Sequence, residues 1–90
     1  MVTAFVLIDA EPRRIAELAT ELADTEGVYE VYSVAGDCDI VAVVRVRTHD
    51  ELAEVVTHRV AQLSGITHTR TMLAFRAYSR HDLDSVFSAV

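Results

Sequence analysis

The order of the apolar segments is the feature of the sequence that most constrains the fold. Four segments are rich in valine, isoleucine, tyrosine and threonine, as β-strands are, and they cover residues 2–8, 28–35, 40–47 and 67–78. Two others repeat apolar residues at the i, i+3, i+4, i+7 spacing of an amphipathic helix. The first starts near Pro12 and ends before Gly27, and the second runs from Thr48 to Leu63. This order predicts an α+β domain of ferredoxin-like βαββαβ topology.

Short polar signals mark the ends of these elements. The run Gly36-Asp37-Cys38-Asp39 is typical of a hairpin turn, because glycine permits positive φ and aspartate can bond nearby backbone amides. Thr48 and Glu51 have the spacing of a capping box, in which each side chain accepts from a free amide at a helix start. After the last strand, Ser79 and Asp82 are placed to cap one more short helix. Its apolar residues are Leu83, Val86 and Phe87.

The sheet face without helices is expected to be apolar. A four-stranded antiparallel sheet with two helices on one face leaves the other face open, and an open face in water favours alternating apolar and polar residues. The first strand does not alternate, and the third carries Val41 and Val43 before its polar end at Arg45 and Arg47. Large exposed apolar patches are rare on monomers. The sequence therefore predicts a homodimer that packs sheet against sheet.

The composition of the chain limits which binding partners and which cellular compartment are expected. The chain has 90 residues, which suits a single domain over 1–90, and a formal net charge of −6 with no lysine. Its arginines are scattered, whereas binding to a nucleic-acid backbone needs clustered cations, so no direct nucleic-acid partner is expected. The single cysteine, Cys38, suits a reducing compartment. No apolar run approaches the ~20 residues of a membrane helix, so we expect a cytoplasmic protein without a membrane partner.

Two motifs resemble a known family. The hairpin Val34-Ala35-Gly36-Asp37-Cys38-Asp39 and the later run Gly65-Ile66-Thr67-His68-Thr69-Arg70-Thr71 are similar to the ligand-binding (RAM) domain of the Lrp/AsnC transcriptional regulators. That family has a Val-x-Gly-x-Tyr-Asp hairpin and a Gly-Val-x-x-Thr-x-Thr strand entry. The resemblance covers essentially the whole chain, and Cys38 departs from the usual tyrosine.

The resemblance carries expectations about function. It implies a domain that binds an amino-acid-type effector in a pocket formed where dimers meet, in assemblies that are often tetramers of dimers. Full-length regulators carry an N-terminal helix-turn-helix, whereas this chain begins at the first strand and so resembles a stand-alone domain. Any effect on transcription is then expected through assembly with full-length Lrp/AsnC regulators.

The candidate ligand-binding residues come from the two motifs. An amino acid needs acceptors for its ammonium group and donors for its carboxylate. The acceptors are expected from Asp37 and Asp39, with Gly36 shaping the turn, and the donors from three hydroxyls. These belong to Thr67, Thr69 and Thr71. Ordinary turn chemistry for the aspartates and β-propensity for the threonines remain open as alternatives.

No catalytic residue, metal site or cofactor is predicted. His68 lies closest to the proposed site, but no histidine or cysteine stands two or four residues away, as metal sites require. Cys38 has acidic neighbours, which disfavour a reactive thiolate. Two further functions stay open: a small ferredoxin-like dimeric enzyme of monooxygenase or isomerase type, and an interaction partner without a ligand. The topology alone cannot decide between them.

Overall fold

A computed structural model describes residues 1–80 of the chain. Strand β1 spans Val2–Ala10 and leads through a 3-10 turn, Pro12–Arg14, into helix α1, Ile15–Ala23. Strands β2, Val28–Ser33, and β3, Ile40–Val46, form a hairpin. Helix α2 begins at His49–Glu54 and continues as a π-helical segment, Val55–Val60, before strand β4, Ile66–Leu73. The order of elements matches the predicted βαββαβ topology.

The four strands form one antiparallel sheet in the order β2-β3-β1-β4. The two central strands, β1 and β3, are therefore adjacent in space although a helix and a strand separate them in sequence. Val6 lies opposite Ala42 on β3 and Thr71 on β4. Because directly opposed residues point to the same face, this register assigns every strand residue to one side of the sheet.

The hydrophobic core lies between the helices and one face of the sheet. Even-numbered residues of β1 and β3 point into it, and Val6, Ile8 and Val44 have no exposed surface. Leu18 and Leu22 of α1 pack against them. The first strand is apolar along almost its whole length, so the structure, and not the spacing of its apolar residues, identifies the buried face.

The second helix differs from the single regular helix that the sequence predicted. Thr48 caps its start as expected, since its hydroxyl accepts from the Glu51 amide at 3.1 Å, and the Glu51 carboxylate accepts from the Arg47 amide at 3.0 Å. After Glu54 the helix widens into π geometry. Val55 and Val60 are five residues apart and both buried. A π-helical segment brings residues of that spacing to one side, so both valines reach the core.

The ends of two strands are the second difference between the structure and the sequence-based prediction. The fourth strand, predicted over 67–78, ends at Leu73, and the second, predicted over 28–35, ends at Ser33. Ala74 still donates to the Thr3 carbonyl, but the chain then leaves the sheet, because β1 begins at Val2 and offers no further partner. The predicted final helix with Leu83, Val86 and Phe87 lies outside the described residues.

The face opposite the helices, the open face, is apolar at its centre. One row across the sheet joins Met72, Phe5 and Val43, and the next joins Leu7 and Val41. Charged residues stand at the margins of both rows. They are Asp9, Glu30, Arg45, His68 and Arg70. An apolar centre with a polar rim is the usual composition of a protein interface.

Candidate functional site

The β2–β3 hairpin is fixed to the end of β1 by Asp39. The backbone amide of Asp39 donates to the Ile8 carbonyl at 3.0 Å, and the Asp39 carbonyl accepts from the Val34 amide at 2.9 Å. Its side chain reaches further, since Oδ2 accepts from the Ala10 amide at 2.9 Å. Asp39 is partly buried there. This carboxylate therefore orders the turn, whether or not it also meets a ligand.

Asp37 occupies a different environment in the same turn. It is exposed, and within residues 1–80 its carboxylate has no hydrogen-bond or salt-bridge partner. Gly36 beside it has a φ of 127°, a value that L side chains rarely adopt, and the space around its α-carbon is open. Cys38, by contrast, is buried and points away from solvent. Of the two aspartates, Asp37 is the one free to accept from an added ammonium group.

The three threonines of β4 are not equivalent. Thr69 lies opposite Ile8, and Thr71 lies opposite Val6, so both point to the helix-covered side of the sheet. The register shifts between Asp9 and Ala10, and Thr67 is the residue that this irregularity leaves without an opposed partner. All three are exposed, because β4 is an edge strand that the helices leave uncovered. Their hydroxyls find no acceptor in the part of the chain that the structure describes.

A groove runs between the second helix and the beginning of β4. Its volume is about 270 Å³. Val56, Val60 and Leu63 form its apolar wall, and Thr67 and Thr69 contribute hydroxyls on the strand side. This volume lies just below the range of ~300–1,000 Å³ typical for drug-sized ligands, so the groove suits a smaller molecule.

The structure brings most of the predicted site residues to one end of the sheet. Asp39 and Thr69 flank Ile8 from opposite sides of β1, about 10 Å apart by the spacing of two neighbouring strands. Asp37 lies on the same turn as Asp39. Thr71 pairs two residues further along β1 and lies outside the groove.

The apolar wall of the groove could not be predicted from the sequence. The spacing of Val56 and Val60 fits the apolar stripe of a helix that packs on the sheet, and nothing in it indicates a groove. Their position depends on the π-helical segment, which no short motif announces. His68, which lies opposite Asp9, is also among the residues that line the groove.

One titratable group on the open face, the phenol of Tyr32, has a shifted pKa. The Tyr32 phenol donates to the Glu30 carboxylate at 2.6 Å. That hydrogen bond, with the nearby negative charge, raises the pKa of Tyr32 above its usual value of 10.0. The neutral phenol thus keeps its proton and screens Glu30 at the margin of the apolar rows.

Among residues 1–80, no three histidine, cysteine, aspartate or glutamate side chains lie together as metal ligands would. Within the same range, none of the helices has the length and apolarity that crossing a bilayer requires.

Comparisons with known proteins agree on one family. The sequence profile of the Lrp/AsnC ligand binding domain matches residues 3–84. An HTH-type transcriptional regulator of Pyrococcus furiosus, PF0250, is 38% identical over 76 residues, which make up 81% of this chain and 51% of that protein. The chain spans about half the length of the curated relatives it matches.

Solved structures share the fold. The protein TTHA0845 from Thermus thermophilus is 48% identical, with a TM-score of 0.83 over 89% of this chain and 100% of that chain. The feast or famine regulatory protein of Mycobacterium tuberculosis, solved in complex with L-methionine, is 28% identical. Its TM-score is 0.73 over 89% of this chain and 54% of that chain.

Proposed function

This chain belongs to the Lrp/AsnC ligand-binding domain family, and we propose that it is an effector domain that binds an amino acid or a closely related molecule. The observation that carries the proposal is the groove beside β4. It combines an apolar wall with free threonine hydroxyls, at the same end of the sheet as the uncommitted carboxylate of Asp37. The M. tuberculosis relative in complex with L-methionine supports this class of ligand.

Each part of an amino acid has a partner in this arrangement. Thr67 and Thr69 would donate hydrogen bonds to the carboxylate, and Asp37 of a second copy of the chain would accept from the ammonium group, because Asp37 of the same chain lies on the other side of β1 from the threonines. The side chain would lie against Val56 and Val60. Because the groove is open and Asp37 stands away from its wall, we propose that a second chain covers the site. This matches the expectation of a pocket between dimers.

Binding can be tested by thermal unfolding of the purified protein with each proteinogenic amino acid at millimolar concentration. A ligand present at ~100 times its dissociation constant stabilises the folded state by ~2.7 kcal/mol. We expect one chemical group of amino acids to raise the unfolding temperature. Asp37→Asn and Thr69→Val should remove the shift while the protein stays folded.

Asp24→Asn is the matched control, since Asp24 is an exposed aspartate at the end of α1, on another part of the surface. It should keep the full response. If no amino acid shifts the transition, or if Asp37→Asn and Asp24→Asn respond alike, the effector proposal is wrong.

We further propose that the domain forms a homodimer through its open face, and that four such dimers assemble into a ring. Under this proposal it is a cytoplasmic protein that modulates transcription by joining full-length Lrp/AsnC regulators, and it is not an enzyme. Co-expression of a tagged copy with a full-length regulator of the same organism should yield mixed assemblies. Recovery of separate homo-oligomers alone would contradict the transcriptional part.

A further inference from the structure

A second cavity lies at the opposite end of the sheet from the β2–β3 hairpin. Its volume is about 530 Å³, and it opens where β1 begins, β3 ends and the α1–β2 connection passes the second helix. Three arginines, two at the end of β3 and one on the second helix, line it together. They are Arg45, Arg47 and Arg59. The size is within the range of ~300–1,000 Å³ common for small-molecule sites.

Two of the three guanidinium groups are held in place by neighbours. Arg59 is partly buried, and its Nη1 donates to the Glu26 carbonyl at 2.9 Å. The Arg45 guanidinium lies 4.4 Å from the centre of the Tyr29 ring, at cation–π distance. These contacts order both side chains without neutralising them. Ordering before a ligand arrives lowers the entropy that binding costs.

Arg47 is fixed through its backbone. Its amide donates to the Glu51 carboxylate at 3.0 Å, which leaves the exposed side chain available to the cavity. The Glu51 carboxylate at the start of α2 therefore helps to determine where this arginine enters the cavity wall.

The charges in the cavity are not balanced by ion pairs. None of these three arginines forms a salt bridge with any of the residues that the structure describes. Glu26 and Glu51 also line the cavity, and the Glu51 carboxylate already accepts from the Arg47 amide. Three cations against two carboxylates leave an excess of positive charge in a chain whose net charge is −6.

We propose that this arginine cavity binds a small oxyanion with two negative charges, of phosphate or dicarboxylate chemistry. Guanidinium groups present parallel N–H donors that match the oxygens of such anions. A dianion would relieve the repulsion between the arginines. The cavity is separate from the groove beside β4, so the two sites can be occupied together, and this inference does not depend on the proposed amino-acid effector.

The probes are inorganic phosphate and succinate, titrated into the 15N-labelled protein, with sodium chloride at equal ionic strength as the reference. We expect saturable amide shifts confined to Glu26, Gly27, Arg47 and Glu51, with chloride producing none. Whichever of the two anions binds more tightly identifies the chemistry. If neither anion gives a saturable shift beyond that of chloride, the proposal is overturned.

Variants separate specific binding from general charge. Arg47→Gln keeps the hydrogen bond from the backbone amide to Glu51. We expect it to lower the affinity for the anion about tenfold, as loss of one charge-assisted hydrogen bond does. Arg59→Gln should weaken it similarly. Arg13→Gln is the control, because this substitution makes the same change in net charge at an exposed arginine in the turn before α1. Equal affinities for Arg47→Gln, Arg59→Gln and Arg13→Gln would refute the site.

Discussion

The Asp39 carboxylate accepts a hydrogen bond from the Ala10 amide at 2.9 Å and so ties the hairpin to the end of β1. Replacing Asp39 with alanine removes a charged acceptor from a partly buried amide. We expect Asp39→Ala to lower the free energy of unfolding by about 1–2 kcal/mol. Urea denaturation followed by circular dichroism measures this change.

Asp37→Ala is the matched comparison for Asp39→Ala, since both remove a carboxylate from the same turn. Asp37 has no partner within residues 1–80, so its loss should leave the urea midpoint almost unchanged. Equal destabilisation by the two variants would show that the turn, rather than the bond to Ala10, carries the effect.

Gly27 combines a positive φ of 96° with a crowded site. A Cβ there would lie 2.6 Å from Cγ2 of Val55, inside the core. Gly27→Ala should therefore cost ~1–3 kcal/mol of backbone strain and a further ~1–3 kcal/mol of overpacking. Gly36→Ala carries strain alone, because nothing lies within 4 Å of its added Cβ. Thermal unfolding should rank Gly27→Ala as the less stable protein, and the reverse order would disprove the packing argument.

Phe5 stands at the centre of the apolar rows on the open face, between Val43 and Met72. A buried carboxylate in a sheet-to-sheet interface has no partner and is strongly unfavourable. We expect Phe5→Glu to yield a folded monomer by size-exclusion chromatography with light scattering, whereas the unaltered protein elutes as a dimer or larger. Ala16→Glu, on the exposed side of α1, should not change the assembly. A monomeric unaltered protein would refute dimerisation.

Thr48 caps α2 through its bond from the Glu51 amide at 3.1 Å. Thr48→Ala should lower the free energy of unfolding by about 1 kcal/mol, the usual value of an N-cap. Thr20→Ala is the control, because the Thr20 hydroxyl only donates back to the Ala16 carbonyl within α1. That variant should be neutral or slightly stabilising, since alanine is the better helix former. Chemical denaturation distinguishes the two.

The bond from Tyr32 to Glu30 has a consequence at alkaline pH. Because the pKa of Tyr32 is raised in the folded state, its contribution to stability is complete below pH 10 and is lost as the pH rises through the shifted pKa. Glu30→Gln should lower the pKa of Tyr32 towards its usual value. Ultraviolet titration of the phenolate, with Tyr32→Phe to assign the signal, measures this. An unchanged titration curve would mean that the carboxylate has no influence.

Much of the fold could be predicted from residue order. Apolar periodicity identified the strands and helices, and Thr48 caps α2 as expected, whereas Glu51 accepts from the Arg47 amide instead of the Thr48 amide. The strand ends could not be predicted, because β4 stops where β1 no longer offers a partner. The π-helical segment was also missed, since it arises from packing Val55 and Val60 together into the core.

The candidate site was predicted less completely than the fold. The sequence named Asp37 and Asp39 together but could not separate the ordering role of Asp39 from the free carboxylate of Asp37. It placed the threonines on one strand without the irregularity at Thr67. These distinctions depend on hydrogen bonds to β1, which lies far away in sequence.

The sequence by itself determined the local elements and the apolar stripes of the helices, because periodicity and capping act between residues close along the chain. Only the tertiary structure decided which polar groups meet. Arg59 lies on another element than Arg45 and Arg47, yet the packing of the second helix beside the end of β3 brings all three to one cavity. Such convergence follows from the register of β1 against β3 and β4, which long-range packing of the core fixes.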